Sequence, residues 1–229
     1  MPDFYTDSQG RRRPITPAKG GAGVVVAGAL ALGVFASGGV STVGGVAGEV
    51  AGEVAGAGGG TSSSALRAQR SQGRKAARKG DADGAWRSMK VRQVRRTGRQ
   101  QAECLAVSYG EVQQLFARTR CTSLERAVFA LVDDAGSTAV VSVVWVVMAD
   151  AGAARRLKTV MDKHGTGDIR PLGSAALEMA DVEFTGLRYG SDRDGRAVTF
   201  AEAENAPGGR FDHDTLDALA EVAAYLPRV

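Results

Sequence analysis

The sequence predicts an α+β domain over residues 102–229, a four-stranded antiparallel sheet with helices on one face in the order α-β-β-α-β-β-α, preceded by an N-terminal apolar helix. Three observations predict it. Two pairs of runs rich in β-branched and aromatic residues are each joined by a short Asp/Gly/Ser turn. Three segments with apolar residues at helical spacing lie before, between and after those pairs. Residues 20–48 carry no charged side chain at all, and Arg11, Arg12, Arg13 and Lys19 stand just ahead of them.

The first helix is read over about residues 109–118, where Ser108 and Glu111 have capping-box spacing and Val112, Leu115 and Phe116 form one stripe. Glu125 to Val132 and Thr138 to Met148 then read as two strands around the turn Asp133-Asp134-Ala135-Gly136-Ser137. Asp150 is placed to cap the next helix, whose Ala153, Leu157, Val160 and Met161 fall at helical spacing, with Gly165 closing its end. A second hairpin is expected from Val182 to Tyr189 and Arg196 to Glu204, around Asp194-Gly195. Asp212 or Asp214 caps a last helix carrying Leu216, Leu219, Ala223 and Leu226, and Pro227 stops it.

The strand at 138–148 is apolar on both sides, Val141, Val143, Trp145 and Val147 facing one way and Val140, Val144, Val146 and Met148 the other. With helices on one face, the other needs a cover: the basic segment upstream, a ligand, or a second copy of the domain, which makes a homodimer or protein partner through that face an expectation.

Charge divides the chain. Residues 1–19 sum to +2, residues 20–64 to −2, residues 65–101 to +10 and residues 102–229 to −6. The organisation read from this is a basic cytoplasmic N-terminus (1–19), a transmembrane or signal segment (20–48), a Gly/Ser-rich then basic linker, largely disordered (49–101), and an extracytoplasmic domain (102–229). The apolar heart of the second segment, Val24 to Phe35, is short enough for a cleavable secretion signal, and the whole stretch is long enough for a tilted single-pass anchor although ten of its 29 residues are glycine. The anchor is the preferred reading. Basic residues upstream and none between 20 and 66 then keep the N-terminus cytoplasmic and put everything after the span outside.

Cys104 and Cys121 are the only cysteines, and in an extracytoplasmic setting an even pair reads as one disulfide. If residues 104–108 are extended, they fold back along the helix and bring the two Cα atoms within the roughly 7 Å that a disulfide demands. Closing that loop is worth about 3 kcal/mol in the chain-entropy model.

The basic segment has Arg67, Arg70, Arg74, Lys75, Arg78 and Lys79 as candidate polyanion contacts, anionic lipid or a wall polymer being the expected partners. Nucleic acid is not expected, since Trp86 is the lone aromatic for stacking in the segment and no recognised nucleic-acid motif occurs. A search for chemistry yields one loop, His164, Thr166 and Asp168, as a candidate ligand site, against a plainer reading of the same residues as a helix end and turn. His213 between Asp212 and Asp214, and Asp192 with Asp194 before Gly195, lack the further ligands a metal needs, so no metal and no cofactor is expected. Glu202 and Glu204 share one face of a strand; they read either as paired carboxylates of glycoside chemistry or as solubilising charges of an edge strand. No motif is specific enough to name a family. The functional expectation is a membrane-anchored or exported noncatalytic binding module of the cell envelope. Its rivals are an envelope enzyme with a site around His164–Asp168 and a cytoplasmic protein holding nucleic acid on residues 65–101.

Overall fold

The computed structural model describes residues 4–6, 12–14, 63–98, 100–179 and 182–228; the apolar stretch 20–48 and the linker 49–62 lie outside these. Two short strands, β1 (Phe4–Thr6) and β2 (Arg12–Pro14), pair antiparallel. The main body follows in the order α1 (Ser63–Arg78), α2 (Ala82–Ser88), β3 (Val91–Arg96), β4 (Gln100–Gln101), α3 (Gly110–Arg118), β5 (Cys121–Asp133), β6 (Thr138–Met148), α4 (Ala151–Met161), β7 (Tyr189–Asp194), β8 (Ala197–Asn205) and α5 (His213–Ala223).

From α3 onward this is the α-β-β-α-β-β-α order that the sequence predicts, and the class is α+β. The sheet is larger than expected: five antiparallel strands in the order β3-β5-β6-β8-β7, with the two-residue β4 also on β5. The fifth strand comes from the segment read as a solvated, largely disordered linker. Residues 63–96 are instead two helices and a strand, with α2 on the sheet and α1 packed outside it on α2 and α5. The physical reason is a stripe of small and apolar residues, Leu66, Gly73 and Ala77 on α1 and Ala85, Trp86 and Met89 on and beside α2, which the surrounding cations obscure in the sequence. Trp86 is fully buried against the ring of Phe129 at 5.9 Å, and Asp81 caps α2 by accepting from the Gly84 amide at 2.7 Å.

Helices on a single face are also corrected. On the first face, Ala127, Phe129, Leu131, Val141, Val143 and Trp145 pack under α2 and α5, and α1 lies over those two helices. On the second face, Leu124, Val144, Val146, Met148 and Phe200 pack under α3 and α4, while Val128, Ala130 and Val140 are covered by Leu177 and Val182. Among the described residues both faces are therefore covered by the chain itself, and the second face of β6 lies under α3, α4 and the segment carrying Leu177 and Val182. Because α5 is wedged between sheet and α1, it is buried almost all round, Asp217 and Glu221 included.

The second hairpin is shifted. Strand β7 begins at Tyr189 rather than Val182 and continues through Asp194, so that Gly195 and Arg196 form a two-residue turn with Gly195 at φ +56°. Residues 182–188 form a loop because two buried carboxylates bind it, as described below. Gly190 on β7 lies directly against the Ala220 carbonyl oxygen of α5, and any side chain there would push the helix off the sheet.

Among the described residues, no helix is long and apolar enough to cross a membrane.

Candidate functional site

Helix α3 starts differently from its sequence signature. Tyr109, not Ser108, is the N-cap, and no side chain caps it. Ser108 is fully buried and its hydroxyl donates to the Cys104 carbonyl at 2.7 Å, because residues 104–107 form a turn rather than an extended lead-in. The free amides at the start of α3 are satisfied by the loop 166–168: the Tyr109 amide donates to the Asp168 carbonyl (3.0 Å) and the Glu111 amide to the Thr166 carbonyl (2.6 Å). This contact needs two glycines. Gly110 (φ +62°) and Gly167 (φ +120°) meet backbone to backbone, with no room for a Cβ on either. The turn reaches its goal by a different path, since Cys104 and Cys121 form the expected disulfide with their Cα atoms 6.4 Å apart.

The candidate loop residues are thus divided. The Thr166 hydroxyl donates to the Val160 and Lys163 carbonyls, both at 2.9 Å, and terminates α4; it is a turn residue and does not line the cleft beside it. Asp168 accepts from the Ile169 amide at 2.6 Å, and with exposed His164 it does line that cleft, a space of about 220 Å³ shared with Tyr109, Phe184 and Tyr189. The Tyr109 phenol is held above its ordinary pKa, first by burial, then by the Asp168 and Glu202 carboxylates, with Arg170 opposing. The Arg170 guanidinium sits 5.6 Å from the Tyr109 ring centroid. Beneath the cleft, Asp162 ties α4 to β7. It accepts from Lys158 (2.6 Å), Ser191 (2.7 Å) and Tyr189 (3.2 Å).

A second polar cluster lies beside the first. Strand β8 is interior, paired on both sides, so Glu202 and Glu204 are buried to 8% and 9% exposure instead of solubilising an edge. Glu202 accepts from the Gly186 amide (2.8 Å). Glu204 accepts from the Thr185 hydroxyl (2.6 Å) and from Arg188 at 2.9 and 3.1 Å. These bonds hold residues 185–188 as a loop and engage both carboxylates in tethering it. Arg188 also donates from Nε to Nδ1 of His213 at 3.1 Å, which requires that nitrogen to be unprotonated. Burial and Arg188 hold the His213 pKa below its ordinary value, against the pull of Asp217, Asp214 and Glu204. Sequence reasoning singled out His213 for its flanking aspartates and passed over Arg188, which a charged residue inside a supposed strand signals.

The six basic candidates also fall into two groups. Arg70 and Arg74 turn inward to the buried Glu221 carboxylate at 3.2 and 3.9 Å, and Arg74 and Arg78 stack on the Tyr225 ring at 5.7 and 4.3 Å. Arg67, Lys75 and Lys79 are exposed. Among the described residues, no group of three or more His, Cys, Asp or Glu side chains is placed to hold a metal ion. No protein-family model, curated protein or solved structure matches the chain.

Proposed function

We propose that the chain is a membrane-anchored or exported noncatalytic interaction module of the cell envelope, with residues 102–229 and the folded segment 63–101 acting as one extracytoplasmic body. The observation that carries this reading is the Cys104–Cys121 disulfide, which joins the turn before α3 to the start of β5. Such a bond persists in an oxidising compartment and is rare in a reducing cytosol. It agrees with the basic residues ahead of the charge-free stretch 20–48. A binding role is favoured over catalysis because the polar groups that converge near the loops are engaged in holding them: Asp162, Thr166, Glu202 and Glu204 each bind a neighbouring segment.

The test uses the full-length chain with a C-terminal tag. In intact cells the tag is expected to pellet with membranes, or to be released to the medium if the leader is cleaved. In either case both cysteines should resist alkylation until a reductant is added. A chain that remains soluble inside gently lysed cells, with both thiols freely alkylated, overturns the proposal.

The cleft lined by Tyr109, His164 and Asp168 favours one second reading, an envelope enzyme acting on a small polar molecule, since it combines a confined space with a phenol of shifted titration. A purified chain that turns over a small substrate, and loses that turnover in Tyr109→Phe without losing thermal stability, selects this second reading over the first.

A further inference from the structure

The outer side of α1 and the turn after it offer three exposed cations that make no contact within the fold, Arg67, Lys75 and Lys79, and a fourth, Arg78, that is exposed while its guanidinium lies over the Tyr225 ring. Successive residues of a helix turn by about 100°, which places Arg67, Lys75, Arg78 and Lys79 within a sector about 120° wide. Leu66, Arg70, Gly73 and Ala77 occupy the opposite half, against α2 and α5. All four outward cations are exposed, and none has an acidic partner among the described residues. No acidic residue interrupts α1. Residues 102–229 sum to −6 and residues 80–101 to +4, so positive charge is concentrated in the segment that begins with α1.

Position along the chain narrows the partner. Only the fourteen residues 49–62 separate the charge-free stretch 20–48 from Ser63 at the start of α1. Fourteen residues reach at most about 50 Å when fully extended, and any bilayer holding residues 20–48 is within that reach of Ser63, where α1 begins.

We infer that the outward stripe of α1, Arg67, Lys75, Arg78 and Lys79, docks on the anionic lipid headgroups of the bilayer that residues 20–48 enter. The inference rests on the anchored form of the proposed function. Each cation brought to such a surface raises partitioning roughly fivefold, and four acting together orient the body with α1 against the membrane and the cleft of Tyr109 and Asp168 free for contact. The division of the basic segment follows naturally: Arg70 and Arg74 bind Glu221 inside the fold, Arg78 braces Tyr225 while staying exposed, and Arg67, Lys75 and Lys79 face outward.

Amine footprinting of the full chain reads this directly. The protein is reconstituted into vesicles of phosphatidylcholine alone, or with about one third phosphatidylglycerol, and treated with an impermeant acylating reagent. Lys75 and Lys79 are expected to react about threefold more slowly on the anionic vesicles and to recover at about 0.5 M salt, where the Debye length falls below about 5 Å. Lys163, on the loop after α4, is expected to react equally on both. Arg67→Glu combined with Ser71→Glu, one exposed member of the stripe and one exposed position next to it, should abolish most of the protection while leaving the disulfide and the circular dichroism unchanged. Equal reactivity of Lys75 and Lys79 on the two vesicles overturns the inference, as does protection by a soluble phosphate polymer with none by lipid. Membrane fractionation keeps the two ideas apart: a chain that does not pellet with membranes removes the anchor, whereas an anchored chain with equal footprints removes only the docking surface.

Discussion

The two faces of the sheet are closed in different ways. On the first face, one continuous apolar cluster runs from Trp86 and Phe129 through Val141, Val143 and Trp145 to Leu219 and Val222, and charge enters at its margins, where Glu221 meets Arg70 behind α5 and Glu125 meets Arg228. On the second, the apolar side chains form two separate clusters. Between these lie Ser142 and its in-register neighbour Glu202, with Arg126 and Glu204 close by on the same face. The first face is held by area, which is non-directional and tolerant of how a helix arrives. The second is held partly by directed bonds from carboxylates to a loop, which fix particular segments and leave a cleft between them. The difference teaches where each property resides. Apolar burial is concentrated under α2 and α5, whereas the side of α3 and α4 combines two smaller apolar clusters with a polar tether and the cleft beside Tyr109.

The sharpest break in that comparison is Trp145→Ala. The indole is 5% exposed and its Nε1 donates to the Leu226 carbonyl at 2.9 Å, so truncation leaves both a cavity and an orphaned acceptor. Chemical denaturation should show a loss of about 4 kcal/mol, with the whole domain unfolding in one transition. Glu204→Gln on the second face should cost about 1–2 kcal/mol, because Arg188 loses its partner in a site still partly open to solvent. Its effect is expected to be local, seen as faster amide exchange at residues 185–188 with the core of the first face still protected. Ser142→Ala should go the other way and stabilise by up to about 1 kcal/mol, since the Ser142 hydroxyl is buried without a hydrogen-bond partner among the described residues. A loss there would place Ser142 in a bond that matters.

The smallest effect expected is one of pH. His213 is held below its ordinary pKa, so between that lowered value and about 6.5 the unfolded chain binds more protons than the folded one. Its contribution to stability is therefore complete above about pH 6.5 and is lost as pH falls toward the lowered value. His213→Asn keeps an acceptor for Arg188 Nε and should flatten this part of the stability profile, measured by denaturant midpoints from pH 7.5 to 5. An unchanged slope would mean that the titration at His213 does not reach the folding equilibrium.

Much of the fold is legible in the residues. The strand at 138–148 has the extent its β-branched run announces, and Asp150 and Asp212 cap their helices by accepting from the Ala153 and Thr215 amides, as their positions suggest. Local chemistry of that kind depends on neighbours in the chain. The strand expected at 182–189 fails because its alternation is outweighed by Glu202 and Glu204, some sixteen or more residues away, which bind its backbone and side chains. The basic segment misleads for a related reason. Leu66, Gly73 and Ala77 look like a weak pattern among arginines, yet small residues suffice when the partner helix approaches closely, and Gly73 sits 2.9 Å from Val222 by the place where its Cβ would be. Glu221, set among the Ala, Leu and Val of the last turns of α5, is the signal that something basic covers that helix, and Arg70 does.

By itself, then, the sequence determined the α+β class, the order of seven elements from α3 to α5, the pairing of Cys104 with Cys121, and the concentration of positive charge before the domain. These follow from periodicity, capping and composition, which act over a few residues or over whole segments. Only the tertiary structure decided that the basic segment is part of the fold, that both faces of the sheet are covered, and which cations point inward. Those outcomes depend on which surfaces meet, and a side chain's meaning as core, tether or contact is set by the partner that removes it from water.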